Sequence, residues 1–240
     1  IIFNNIWAVI NPWKIAFGWM ENLYRYADPE GHLSLHLHYP RWLGIWPAVA
    51  IFGAFAWVEN VYMGATEPSN LAWLVILYSA ITWIGMYLFG KHVWLGRGEA
   101  FSIFFGLLSK FSPTEVVVRQ PEVCRECPMD CGVLEGDCVD CYHCYERADY
   151  SQSGLHLRPF ASGLLVRENV NPSQMVFVIL MLATVTFDGF KETPTWVATV
   201  SDTLPSFQFL GGAALSGIRT IGLLIFVIIF LAVFLGFSTF

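Results

Sequence analysis

The chain has 240 residues, of which 55% are hydrophobic, 16% aromatic and only 13% charged, and its mean hydropathy is +0.53. An ordinary soluble domain carries about a quarter charged residues, so this composition belongs to a protein whose solvent is largely lipid. A formal net charge of −6 leaves no overall basic face, which argues against a nucleic-acid partner.

The chain opens on Ile1 and stops at Phe240, still inside the apolar run Leu223 to Phe240. Both ends read as cuts in a longer chain, which makes the spans counted below a lower bound. No cleavable signal peptide is visible at the start. Asn11 and Pro12 begin a helical pattern with Trp13, Ala16, Phe17, Met20, Leu23 and Tyr24 on one face. Lys14, Glu21 and Arg25 fall on the other, with Glu21 and Arg25 at ion-pair spacing. The pattern fits an amphipathic helix lying in the membrane interface, or a helix packed on neighbouring spans. Gly31 to Pro40 reads GHLSLHLHYP, and if it is extended His36 and His38 point the same way, with His32 nearby, as in a metal half-site. Interfacial histidines ahead of a span are the plainer reading.

A span needs about 20 mostly apolar residues. Leu43 to Met63, Leu71 to Gly90 and Ile218 to Phe240 meet that test, and aromatic residues flank the first at headgroup level. Gln174 to Phe190 is shorter but well started, because Asn171 can cap the orphan amides and Pro172 suits the first helical turn. His92 to Phe111 is interrupted by Arg97, Glu99 and Lys110. It reads either as a span with Arg97 and Glu99 near one surface, paired with each other or with a neighbouring helix, or as a re-entrant segment. Lys14, Arg25 and Arg41 precede the first span and Lys91 follows the second, which makes the amino-terminal side cytoplasmic by the positive-inside rule. The loop from about Ser112 to Pro172 is then outside if His92 to Phe111 crosses, and inside if it dips back.

All six cysteines lie between Cys124 and Cys144. Cys124, Cys127 and Cys131 form C-x2-C-x3-C, and Cys138, Cys141 and Cys144 form C-x2-C-x2-C. Closely spaced thiolates can grip one ion from a tight turn, where Gly132 and Gly136 supply flexibility. Three readings compete. In structural zinc, Cys124 and Cys127 close a site with Cys138 and Cys141, leaving Cys131 and Cys144 over. In an iron-sulfur cluster, the second triplet matches a ferredoxin run and Cys127 is followed by Pro128, but Ala148 stands where the usual fourth cysteine belongs. In the third, the six cysteines form disulfides in an external loop. His143 could replace a thiolate. The acidic residues Glu126, Asp130, Glu135, Asp137 and Asp140 oppose a reactive free thiolate and hence cysteine-based catalysis.

Ionisable residues in apolar runs mark candidate functional positions, so Glu59 and Asp188 form a candidate ion path, against the plainer reading of anchors near span ends. The stretch Gly211 to Gly217, GGAALSG, suits close helix approach. No hydrolase, nucleotide-binding or dinucleotide-binding motif is present, and no catalytic residue is assigned.

The segments NPW (Asn11 to Trp13), YPRWLGIWPA (Tyr39 to Ala48), WVE (Trp57 to Glu59), RGEAFSIFFGLLSKFSP (Arg97 to Pro113) and TFDGF (Thr186 to Phe190) resemble a poorly characterised bacterial family of polytopic inner-membrane proteins. Some of its members are labelled fenitrothion hydrolase-like. The resemblance spans most of the chain outside the cysteine loop and implies a longer parent of roughly a dozen spans in the inner membrane. No nucleophile or metal-hydrolase motif in this chain matches the hydrolase label.

The expected fold is all-α, a polytopic transmembrane helix bundle of at least four spans with an irregular cysteine-rich extramembrane loop. Residues 1–111 form a membrane region, 112–172 the loop and 173–240 a second membrane region. The expected role is a subunit or accessory protein of a bacterial inner-membrane complex, docking other membrane subunits through a metal-stabilised loop that holds zinc or an iron-sulfur cluster. The alternatives are an iron-sulfur electron-transfer component and an ion-coupled transporter.

Overall fold

The structure is a computed structural model that describes residues 4–29, 31–125, 127, 131–134, 137–165 and 171–238. In chain order it comprises α1 (Trp7–Ile10), α2 (Pro12–Ala27), α3 (Trp46–Asn60), α4 (Pro68–Phe89), α5 (Lys91–Arg97), α6 (Ala100–Ser109), β1 (Thr114–Val118), α7 (Pro121–Arg125), β2 (Gly132–Leu134), β3 (Asp137–Val139), α8 (Tyr142–Arg147), β4 (Ser153–Leu157), α9 (Pro172–Lys191), α10 (Pro194–Thr203) and α11 (Ala214–Ser238). Among the described residues, four helical stretches are long and apolar enough to cross a membrane: Arg41–Asn60, Pro68–Phe89, Pro172–Lys191 and Gly211–Ser238. This is a polytopic, mostly helical membrane protein with its cysteine-rich loop outside those spans. The end of the last apolar run, at Phe240, lies outside the described residues.

Two compact units divide the chain, one from Ile1–Ala48 with Tyr78–Val170 and the other from Val49–Leu77 with Asn171–Phe240. In the first, Asn11 ends α1 and its side-chain oxygen accepts from the amides of Trp13 and Lys14, capping α2. Glu21 pairs with Lys91 at 2.7 Å, so its observed ion partner lies on α5 and not at Arg25 one helical turn on. The stretch around the histidines is not uniformly extended, because His36 has φ 47°, in the left-handed region, which interrupts it.

The segment from His92 to Phe111 breaks at Gly98 and Glu99, where Glu99 turns extended (φ −84°, ψ 112°) and caps α6 by accepting from the amides of Phe101 and Ser102. Neither half can cross alone, since the ten residues of α6 rise only about 15 Å. Glu99 is fully buried and also accepts from the Tyr78 hydroxyl, from Asn11 Nδ2 at 3.2 Å and from Ser102 Oγ at 2.5 Å. Its partners thus include neighbouring helices, while the Arg97 guanidinium sits 5.3 Å over the Tyr39 ring.

The loop expected to be irregular is built around an antiparallel four-stranded sheet of order β2-β3-β1-β4. β1 is a central strand, and its valines 116, 117 and 118 are all buried, the continuous apolar run of a strand covered on both faces. Val118 lies opposite Cys138 on one side and Ser153 on the other. Arg158 locks this sheet to the end of α6: it donates to the carbonyls of Ser112 and Ser109, both at 3.0 Å, and pairs with Asp140 at 2.5 Å and Glu115 at 3.5 Å. Gly163 leaves the room, because a Cβ there would come within 2.5 Å of the guanidinium. Arg158→Ala would take the guanidinium from two half-buried carboxylates and from the Ser109 and Ser112 carbonyls, and is expected to cost the sheet about 3 kcal/mol. Amide exchange in β1 and β4 should accelerate about a hundredfold or more, and an unchanged rate would show that the guanidinium carries none of the sheet's stability.

In the second unit, α9 begins with a capping box between Asn171 and Gln174 and with Pro172 in its first turn, as the sequence indicates. α9 packs along α11, with Phe187 between Trp196 and Phe226 and with Val61 and Leu223 in the same apolar cluster. Close approach here falls to Gly222, where a Cβ would lie 2.4 Å from Trp196. Gly211 and Gly212 have nothing near them, and Gly211 serves a turn at φ 55°. Glu59 and Asp188 are both exposed, and Asp188 pairs with Lys191 at 2.7 Å.

Candidate metal centre

The sheet and two short helices gather all six cysteines. Cys124 lies on α7 and Cys127 just beyond it, Cys131 precedes β2, Cys138 is on β3, and Cys141 caps α8, whose first turn holds Cys144. Cys141 and Cys144 are three apart on a helix start and therefore face the same way. The turn that delivers them is made by Asp140, which adopts φ 57°, a conformation Asp tolerates better than most residues. Its carboxylate accepts from Val116 N, Asn4 Nδ2 and Arg158 Nη1. Asp140 therefore fixes the position of three cysteines without touching sulfur. Asn4, Asp140 and Arg158 as supports had no sequence signal beyond the acidity of Asp140 and a lone arginine among apolar neighbours.

The sulfur atoms of Cys127, Cys131, Cys141 and Cys144 all lie within 4.8 Å of one another. Cys131 and Cys141 are 3.3 Å apart, Cys131 and Cys144 3.7 Å, and Cys127 and Cys141 3.8 Å. A second group, Cys124, Cys138 and Cys144, meets the same limit, so Cys144 belongs to both. This division differs from the one drawn from spacing. Cys124 and Cys127 go to different groups, and Cys131 and Cys144, left over in that scheme, are members here. The cause lies within the second triplet: β3 carries Cys138 toward Cys124 while α8 turns Cys141 and Cys144 toward Cys127. Pro128, Gly136 and the acidic Glu126, Asp130 and Glu135 lie outside the described residues.

None of the six cysteines is in a disulfide, and the Cys131–Cys141 pair at 3.3 Å is far beyond a disulfide bond of about 2.05 Å. Cys138 and Cys144 are fully buried. Hydrogen bonding from Cys131 and its neighbours holds Cys127 far below the ordinary thiol range, while the same contact with Cys127 drives Cys131 and Cys144 far above it. Burial, with Cys124 alongside, pushes Cys138 up to about 12. The contact with Cys127 raises Cys141, but hydrogen bonds from Cys131 and Cys144 outweigh it and hold Cys141 below the ordinary range as well; thiols crowded in this way form a set in which a cation can replace several protons at once. His143 Nδ1 lies 3.5 Å from Cys127 Sγ, and its ring meets His92 at 4.1 Å. Burial, then the neighbouring His143, pushes His92 down to about 3. The two rings border a cavity of about 230 Å³ that Cys131, Cys141, Lys14 and Asn11 also line.

A tetrahedral ion with metal–sulfur bonds of about 2.3 Å has sulfur–sulfur edges of about 3.8 Å. Three edges of the first group, at 3.3, 3.7 and 3.8 Å, lie near that length, and its other sulfur pairs are within 4.8 Å. In a cubane cluster each thiolate binds a different iron, which spreads the sulfurs wider than they stand here. His32, His36 and His38 are exposed and join no group of three or more metal-ligating side chains among the described residues. Comparison of the chain with protein-family models, with curated proteins and with solved structures yields no match.

Proposed function

We propose that this chain is a subunit or accessory protein of a bacterial inner-membrane complex whose cysteine-rich domain is folded around zinc and docks a neighbouring subunit. The observation that carries the reading is the quartet of Cys127, Cys131, Cys141 and Cys144, in which three sulfur–sulfur contacts of 3.3 to 3.8 Å suit one tetrahedral ion. Four protein thiolates leave no open position for substrate, which favours a structural over a catalytic metal. The bacterial inner-membrane setting rests on the resemblance carried by Tyr39 to Ala48 and Arg97 to Pro113.

The cytoplasmic side is the reading for this domain. Lys14, one of the basic residues that the positive-inside rule counts, binds Glu146 at 2.5 Å and lines the same cavity as Cys131 and Cys141, and His92 on α5 meets His143 edge-on. In that reducing compartment thiols persist and are free for metal. Docking has a surface in β4, an edge strand whose Leu155 and Leu157 are exposed, with Phe160 beyond them. An unpaired strand edge with protruding aliphatics favours addition of a partner strand.

Metal analysis and absorbance of protein purified without oxygen test the reading. Zinc without visible absorbance supports it. Iron with labile sulfide would replace it with the electron-transfer reading, and absence of metal would refute both.

A further inference from the structure

Resting on the zinc reading, we propose that the domain holds two metal ions, not one, bridged by the Cys144 thiolate. A single tetrahedral ion uses only four of the six sulfurs, and Cys124 and Cys138 do not then remain as idle thiols. They converge with Cys144 in a second group no looser than the first, with all three sulfurs within 4.8 Å of one another. Cys138 and Cys144 are buried at 1% and 0% exposure, and the apolar Val118, Val123 and Tyr145 pack around them. A thiolate sulfur keeps enough lone pairs to bind two cations. Sharing is also the economical solution for charge, since two divalent ions and six thiolates leave a smaller excess per ion than one ion with four.

The arithmetic of ligands leaves the second ion one position to fill from outside the cysteines. Two four-coordinate ions need eight ligand positions, and six cysteines with Cys144 shared fill seven. The first ion then takes Cys127, Cys131, Cys141 and Cys144, and the second takes Cys124, Cys138, Cys144 and one solvent oxygen. Every cysteine in the chain then has a role.

Two measurements on the full chain in detergent, purified with zinc, decide it. Elemental zinc against quantitative amino-acid analysis should give two ions per chain. Zinc-edge X-ray absorption on the unmodified protein should show a zinc–zinc path shorter than about 4.6 Å, twice the metal–sulfur bond, since two ions on one sulfur can be no farther apart. The pair C124S/C138S should then fall to one ion per chain and lose the zinc–zinc path while keeping a four-sulfur shell. One zinc per chain with no zinc–zinc path in the unmodified protein overturns the bridged pair and leaves the single structural ion standing. No zinc at all overturns both.

Discussion

Cys144→Ala is expected to release all metal from the chain and to unfold the cysteine domain. Cys144 is the one sulfur common to both groups of metal-ligating thiols, and it is completely buried. Its removal deprives the quartet of a corner and the second group of a third of its ligands. Structural zinc contributes about 10–16 kcal/mol of apparent binding free energy in small domains, more than a four-stranded sheet of short strands can replace. Zinc per chain should therefore drop to near zero, and protease should cut between α7 and α8 under conditions that leave the unmodified protein whole. The helical circular dichroism should persist, because the spans Pro172–Lys191 and Gly211–Ser238 belong to the other compact unit. His143→Ala is the matching control. The ring touches Cys127 from outside at 3.5 Å, so its loss should weaken zinc about 10–100-fold and leave the domain folded. Full zinc retention by Cys144→Ala would place the metal elsewhere.

The contrast between what the sequence revealed and what it concealed follows from the range of the forces involved. The spans were legible because a helix in lipid must be apolar along its whole length, and that leaves a local mark; Pro68–Phe89 and the capped start of α9 fall within a few residues of where composition and capping put them. The cysteine cluster was legible as a cluster for the same reason. Its internal grouping was not, because it depends on β3 pairing with β1 some twenty residues away, and on an Asp140 turn whose carboxylate is held by Asn4 and Arg158. The run TEVVV carries the β-branched signature of a strand, yet beside so many apolar helices it stands out little. Gly222, not the GGAALSG stretch, makes the tight helix contact, since packing depends on which bulky side chain, here Trp196, arrives opposite.

Glu99→Ala is expected to be the most damaging substitution in the membrane-facing part of the first unit. The carboxylate is wholly buried and serves three elements at once: it caps α6 through the amides of Phe101 and Ser102, it receives the Tyr78 hydroxyl from α4, and it receives the Asn11 amide from the junction of α1 and α2. Loss of the cap costs about 1 kcal/mol. Each buried donor left without its carboxylate partner adds about 1–3 kcal/mol, giving about 3–7 kcal/mol in all once the contributions of Tyr78 and Asn11 are counted. Glu99→Gln should recover only part of this. Its amide oxygen can still cap α6, but its NH2 group is turned onto donors, so either the cap or the Tyr78 bond is sacrificed. Unfolding in detergent, followed by the fluorescence of Trp13 and Trp94, should give midpoints in the order unmodified, Gln, Ala. A midpoint for the alanine variant within about 1 kcal/mol of the unmodified protein would mean that water already reaches this carboxylate, and that the break at Gly98 is held by the packing of Trp94 alone.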